Sequence, residues 1–189
     1  RYYVFGMSSE TVNRRIDQLK QHRQLAGLGV HFHRKTQNVS EWNLIYEIEE
    51  MLTKETRQHI SWLNIGGGLP SLYANSNVDV EQGILDKISD AKQWLNDQHI
   101  EMIVEPGRYI AAPAVTLVTH IIGIHGSTII VDASVYNSDM DALVVPVKLK
   151  VEDEASKEQG KPYAIKGCTP CSMDLFRYRV YLKEPKIGD

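Results

Sequence analysis

Apolar residues in the first hundred positions recur with two alternating periods. Short β-branched and aromatic runs at Tyr2-Tyr3-Val4-Phe5, Leu28 to His33, Ile60 to Ile65 and Glu101 to Val104 read as strands. Between them lie one-sided apolar stripes set among polar residues: Val12, Ile16 and Leu19; then Ile45, Ile48 and Leu52; then Ile84, Ile88, Ala91 and Leu95. Spacings of three and four residues put each stripe on one face of a helix. Ser8-Ser9 and Ser40 offer N-caps for the first two helices, and the first stops near Ala26-Gly27. Strand alternating with helix predicts parallel βα units and an α/β fold.

The texture changes after Pro113. Val115 to Ile124 and Ser127 to Val131 are β-rich runs separated by Gly123 and Gly126, with no amphipathic helix after them. Val144 to Val151 and Tyr178 to Leu182 read as further strands, and the charged stretch Glu152 to Pro162 reads as an exposed loop. A second, mostly antiparallel region therefore follows the first, with the boundary at residues 1–113 and 114–189. Fixed-period repeats and low-complexity tracts are absent.

Composition narrows the choice of partner. With 42% hydrophobic and 24% charged residues the chain is of the globular kind, and a net charge of −3 gives no general attraction for nucleic acid or anionic lipid. The longest apolar stretch, Ile110 to Ile124, is interrupted by Pro113, Thr116, Thr119 and His120, so no membrane span is expected. Two cysteines three apart make no disulfide framework, and a reducing cytoplasm is the expected compartment. Length adds a limit: a complete eight-stranded barrel takes about 250 residues, more than the 189 present. The chain opens on Arg1 without an initiator Met or a secretory pattern, as though cut from something longer.

The unusual residues gather at strand ends, where parallel α/β folds place their active sites. His31-Phe32-His33-Arg34-Lys35-Thr36 ends one strand, Gly66-Gly67-Gly68 the next, and Glu105-Pro106-Gly107-Arg108 the last. Glycines that let backbone N–H groups approach an anion, with an Arg nearby, suit a phosphate. The glycine run lacks the spacing of a Walker or dinucleotide motif and is equally a plain turn. His31 and His33 share one strand face and could bind a metal, but no third ligand is evident, so none is expected. Cys168-Thr169-Pro170-Cys171 has redox or half-zinc spacing without the strand-into-helix context of a thioredoxin motif.

Taken in order, His-x-His, Gly-Gly-Gly-Leu-Pro, Glu-Pro-Gly-Arg-Tyr and Gly-Cys-Thr-Pro-Cys-Ser-Met-Asp resemble the pyridoxal-phosphate-dependent decarboxylases of fold type III. This is the alanine-racemase-like group that includes ornithine and diaminopimelate decarboxylases. The resemblance covers nearly the whole chain and implies the C-terminal half of a (β/α) barrel over residues 1–113, then part of a C-terminal β domain over 114–189. It implies an enzyme that decarboxylates a basic or diamino acid with pyridoxal 5'-phosphate. It further implies a homodimer, because in this family the C-terminal motif reaches into the neighbouring subunit's site.

Carried over by position, His33 would stack on the cofactor ring. Gly66, Gly67, Gly68, Gly107, Arg108 and Thr36 would lie around the phosphate, and Glu105 would face the pyridine nitrogen. A carboxylate there keeps the nitrogen protonated, so the ring can accept electrons as carbon dioxide leaves. Catalytic roles would fall to His33, Cys171 and Asp174.

The departures are specific. Arg34-Lys35-Thr36-Gln37 stands where the family has Gly-Ser-Gln after the His, and two cations there suggest extra anion binding. Aligning Gly167 and Asp174 puts Pro170 at the family's Cys position, with Cys171 one later. The chain is expected to begin after the strand bearing the cofactor-linking lysine and to stop before the last strands. A non-catalytic homologue that binds or dimerises, and an amino-acid racemase, are the alternatives.

Overall fold

The computed structural model describes residues 5–22, 25–145 and 147–189. The chain divides into two compact units, Arg1–Ser71 with Asn77–Ala112, and Leu72–Ser76 with Pro113–Asp189.

The first unit is built on three parallel strands, β1 (Gly29–His31), β2 (Trp62–Asn64) and β3 (Glu101–Ile103), in the order β1-β2-β3. Of the strand expected at Tyr2–Phe5, residues 2–4 lie outside the described residues, and Phe5 is in a bend. Helix α1 (Ser9–Leu19) starts where expected, with the Ser8 hydroxyl accepting the Thr11 N–H. Its stripe is only partly used: Ile16 is buried, Val12 half-buried and Leu19 exposed.

Helix α2 (Leu44–Met51) is followed by a short α3 (Lys54–Arg57) that the apolar pattern does not show, capped by Thr53. The entry to α2 differs from expectation, since its N-cap is Asn43 rather than Ser40. Buried Asn38 organises the turn before it, its side-chain oxygen accepting from Ser40 N–H and Glu41 N–H while its carbonyl accepts from the Trp42 indole. Helix α4 (Val78–Asn96) buries Ile84, Ala91 and Leu95. These pack with Leu44, Ile48, Leu63, Ile65 and Ile100 into one core. Gly29 pairs in register with Trp62, and a Cβ on Gly29 would fall 2.0 Å from the Trp62 ring, so only glycine lets the indole lie there. A short α5 (Gly107–Ala111) and a single 3₁₀ turn close the unit.

The second unit carries a four-stranded sheet ordered β4 (Ile121–His125), β5 (Thr128–Val131), β6 (Lys161–Lys166), β7 (Leu175–Leu182), with two four-residue helices, α6 (Val135–Ser138) and α7 (Asp141–Val144), between β5 and β6. The sheet is mixed and, as expected, mostly antiparallel: β4 with β5 and β6 with β7 are antiparallel, β5 with β6 parallel. Buried Arg177 of β7 forms a two-pronged pair with Glu154, at 2.8 and 3.1 Å, and donates to the Arg179 carbonyl. Its charge is thus compensated where it leaves water.

Three expectations fail here. Of the run Val115 to Ile124, only Ile121 to Ile124 is strand. Val144 to Val151 is not a strand: Val144 ends α7, and the segment after Val145 bonds to a loop, with Ala74 N–H donating to the Lys148 carbonyl and Lys148 N–H to Asn75. Lys161 and Pro162, expected in a loop, open β6. Among the described residues no helix is long and apolar enough to cross a membrane.

Candidate functional site

The register of the parallel sheet builds the site. His31, Asn64 and Ile103 are aligned as the last residues of their strands. Two residues beyond each, at equivalent positions on neighbouring strands, stand His33, Gly66 and Glu105. Three loops far apart in sequence are therefore adjacent because their strands pair in parallel and stop together.

Asn64 ties these loops to one another. Its amide donates to Glu105 Oε1 at 2.8 Å, and its side-chain oxygen accepts the Gly66 N–H at 2.8 Å. Both ends of a buried amide are thereby satisfied and its orientation is fixed. Nothing in the motif reading singles out Asn64. The available signal is a polar residue inside the apolar run Trp62-Leu63-Asn64-Ile65, immediately before the glycines.

The glycines are required by space and backbone. Gly66 and Gly68 have φ of +68° and +93°, in the left-handed region that other residues rarely enter. A Cβ on Gly66 would meet the Phe32 carbonyl at 2.6 Å, on Gly67 the Glu105 carbonyl at 2.8 Å, and on Gly68 the Lys35 carbonyl at 2.7 Å. The Gly67 N–H reaches His33 Nδ1 at 3.4 Å. Two of the three glycine N–H groups thus point to Asn64 and His33 within the protein, and what the run contributes is close approach of loop to loop.

Around this cluster, the Arg108 Nε donates to the Thr36 hydroxyl at 2.9 Å, joining the third loop to the first. His31 and His33 stand with rings nearly parallel, centroids 6.3 Å apart, and His31 Nε2 is 4.0 Å from Glu105 Oε2. Gln37, at φ +50°, ties the first loop to the second by exchanging hydrogen bonds with the Ser71 backbone at 2.8 and 3.0 Å.

The two cations after His33 differ in their surroundings. Arg34 is buried, lies over the rings of Phe32 and Trp42 and pairs with Glu47 at 2.7 Å, so its guanidinium is a packed element of the core edge. Lys35 is exposed and lies 3.9 Å from Glu41.

Cys171 and Asp174 belong to the second unit, in the connection between β6 and β7. Asp174 is fully buried. Its carboxylate accepts from Val135 N–H at 2.9 Å, Thr169 N–H at 3.1 Å and the Thr169 hydroxyl at 2.6 Å. Burial pushes its pKa up, and these hydrogen bonds outweigh that and hold it below the ordinary Asp value. Gly167 is necessary beside it, because a Cβ there would fall 2.2 Å from the carboxylate. The structure thus shows Asp174 as the organiser of the loop that carries Cys171.

Cys168 and Cys171 are both exposed thiols. The Tyr136 hydroxyl, 2.9 Å from Cys171 Sγ, and the backbone N–H groups of Met173 and Asp174 lower the Cys171 pKa. Alkylation of Cys171 by iodoacetamide is therefore expected to reach half-rate at a lower pH than an ordinary thiol. Tyr136→Phe should move that midpoint upward, as mass-resolved labelling across pH will show.

Residues 3–112 match the family model described as pyridoxal-dependent decarboxylase, pyridoxal binding domain. The chain belongs to this family of pyridoxal-phosphate proteins. Solved structures with the same fold include lysine/ornithine decarboxylase of Vibrio vulnificus with cadaverine, 24% identical with TM-score 0.73, over 98% of this chain and 53% of that one. Carboxynorspermidine decarboxylase of Campylobacter jejuni with norspermidine is 19% identical, TM-score 0.69, over 100% and 52%. Diaminopimelate decarboxylase of Helicobacter pylori with L-lysine is 23% identical, TM-score 0.70, over 98% and 48%. The chain spans about half the length of these proteins.

The residues at the strand ends fit the family's cofactor. Glu105 is held through one oxygen by Asn64, and the exposed His33 imidazole, on the loop after β1, comes within 4.8 Å of its carboxylate. The glycine run lets the loop after β2 pack directly against the Phe32, Lys35 and Glu105 carbonyls, which brings the three strand-end loops together around one place.

Proposed function

We propose that these residues form the cofactor site of a pyridoxal-phosphate-dependent decarboxylase acting on a basic or diamino acid. The observation that carries this reading is the fixed placement of Glu105 at the end of β3, one oxygen bonded to Asn64, next to His33 and the glycine run. When bound, pyridoxal phosphate supplies an electron sink for the pair left behind as carbon dioxide departs. Glu105 holds a proton on the ring nitrogen and so keeps that sink strong. His33 presents its imidazole to the ring face. Arg108, with Thr36, binds the phosphate through charge-assisted hydrogen bonds, and Gly66, Gly67, Gly68 and Gly107 let backbone come close to it.

Cys171 is the proposed proton donor, and Asp174 acts through it by fixing its loop. A homodimer in which this loop serves the partner's site completes the proposal, as does a division of labour between a barrel region at 1–113 and a β region at 114–189. The cytoplasm is the proposed compartment. Substrate class is supported by the solved relatives, which carry diamines, norspermidine or L-lysine.

The test is release of carbon dioxide from lysine, ornithine, arginine, diaminopimelate and carboxynorspermidine with added pyridoxal phosphate, by the protein alone and with a lysine-bearing N-terminal barrel half supplied. Release from one of them, abolished by omitting the cofactor, supports the proposal. Binding of pyridoxal phosphate with racemisation and no carbon dioxide would replace it with the racemase reading.

A further inference from the structure

The sequence places two histidines on one strand face and offers no third donor. The fold supplies it. His31, His33 and Glu105 present ligand atoms that all lie within 4.8 Å of one another. We propose that, in the cofactor-free protein, these three side chains bind one divalent transition metal of the zinc type, and that metal and pyridoxal phosphate exclude each other.

The donor chemistry suits the ion. Two imidazoles and a carboxylate form a three-ligand set that leaves a fourth position for water. With metal–nitrogen bonds of about 2.0–2.1 Å, donors in a tetrahedral site lie about 3.4 Å apart. His31 Nε2 and Glu105 Oε2 are already at 4.0 Å, and their side chains are 45% and 48% exposed, so small rotations close the set. Little desolvation opposes this. The link from Gly67 N–H to His33 Nδ1, at 3.4 Å, is long for a hydrogen bond and yields readily as the ring turns. Glu105 also has an outer partner. Asn64 is bonded to Oε1, which orients the carboxylate and leaves Oε2 toward His31, the arrangement that raises affinity at metal sites.

Exclusion follows because His33 and Glu105 serve both ligands. That part rests on the cofactor reading above, whereas the metal site rests on the donor geometry alone. His31 has no assigned role toward the cofactor, which makes it the residue that separates the two.

The test uses the cofactor-free 189-residue chain, with Zn²⁺ followed by calorimetry and Co²⁺ by visible absorption. Expected are one Zn²⁺ per chain, a Co²⁺ spectrum without thiolate charge transfer, and release of Zn²⁺ on adding pyridoxal phosphate. His31→Ala should weaken Zn²⁺ by more than the roughly 10–100-fold that loss of an outer-shell partner costs, while changing pyridoxal phosphate affinity by no more than about twofold. His31→Gln, which keeps the bulk of the side chain, should behave alike if a ligand and not folding is lost. Unchanged Zn²⁺ affinity in either variant, or a Co²⁺–thiolate band marking Cys168 and Cys171 as the ligands, would overturn the site. If Zn²⁺ binds and depends on His31 while pyridoxal phosphate does not bind at all, the metal site stands and the cofactor reading fails. If both bind at once, exclusion is refuted.

Discussion

Asp174→Ala should destabilise the second unit by on the order of 3 kcal/mol, because it strips a buried carboxylate from Val135 N–H, Thr169 N–H and the Thr169 hydroxyl together. Two backbone N–H groups lose their partner, and water has no ready path to a side-chain position that is fully buried. The cost should also depend on pH in a definite sense. Asp174 has a lowered pKa in the folded protein, so its stabilisation is present above the ordinary Asp value of about 3.9 and is lost as pH falls through the lowered one. Urea unfolding of wild type and variant should therefore differ most near neutrality and converge in acid. Equal stability at neutral pH would show that the carboxylate is not what holds the loop between β6 and β7. The same measurement bears on Cys171, whose lowered pKa depends on backbone N–H groups of this loop.

Glu105→Gln is expected to reduce carbon dioxide release by on the order of 100-fold or more, the scale on which a preorganised charge at a reacting group contributes. An amide cannot hold the ring nitrogen protonated as a carboxylate does. Cofactor affinity should change much less, since the contacts assigned to the phosphate lie at Arg108 and Thr36 and are left intact. The Asn64 bond offers an internal control: a glutamine side chain still presents an oxygen to the Asn64 amide, so the loop should keep its position. A fall in affinity as large as the fall in turnover would mean that Glu105 anchors the cofactor and does not tune it.

How far the residues alone foretell this structure varies with the kind of signal. The three parallel strands and their helices are visible because Ile45, Ile48, Ile84, Ala91 and Leu95 recur at helical spacing, and nearly all of them enter the core. The strand-end motifs are visible because His33, Gly66 and Glu105 each follow a strand. Their adjacency is a property of parallel register, which the spacing of motifs does not contain. Glu105 as a third donor beside His31 and His33 is hidden for the same reason, being more than seventy positions away in the chain.

Local rules failed where tertiary bonds overrode them. Val144, Val145, Val147, Leu149 and Val151 look like a strand by alternation, yet Pro146 interrupts the run, and Lys148 finds its bonds in the loop at Ala74 and Asn75. Arg34 looked like an anion ligand from its neighbours in sequence. The rings of Phe32 and Trp42 against its guanidinium, and Glu47 paired with it, make it structural instead.

In the proposed site the strand-end cluster holds pyridoxal phosphate with its phosphate at Arg108. Titration of wild type and Arg108→Ala with pyridoxal phosphate and with pyridoxal, followed by cofactor absorbance, tests it most directly. Losing one charge-assisted hydrogen bond of about 2 kcal/mol corresponds to about 30-fold in affinity. That loss is expected for pyridoxal phosphate and almost none for pyridoxal, whereas an equal effect on both, or none on either, would contradict a phosphate site at Arg108.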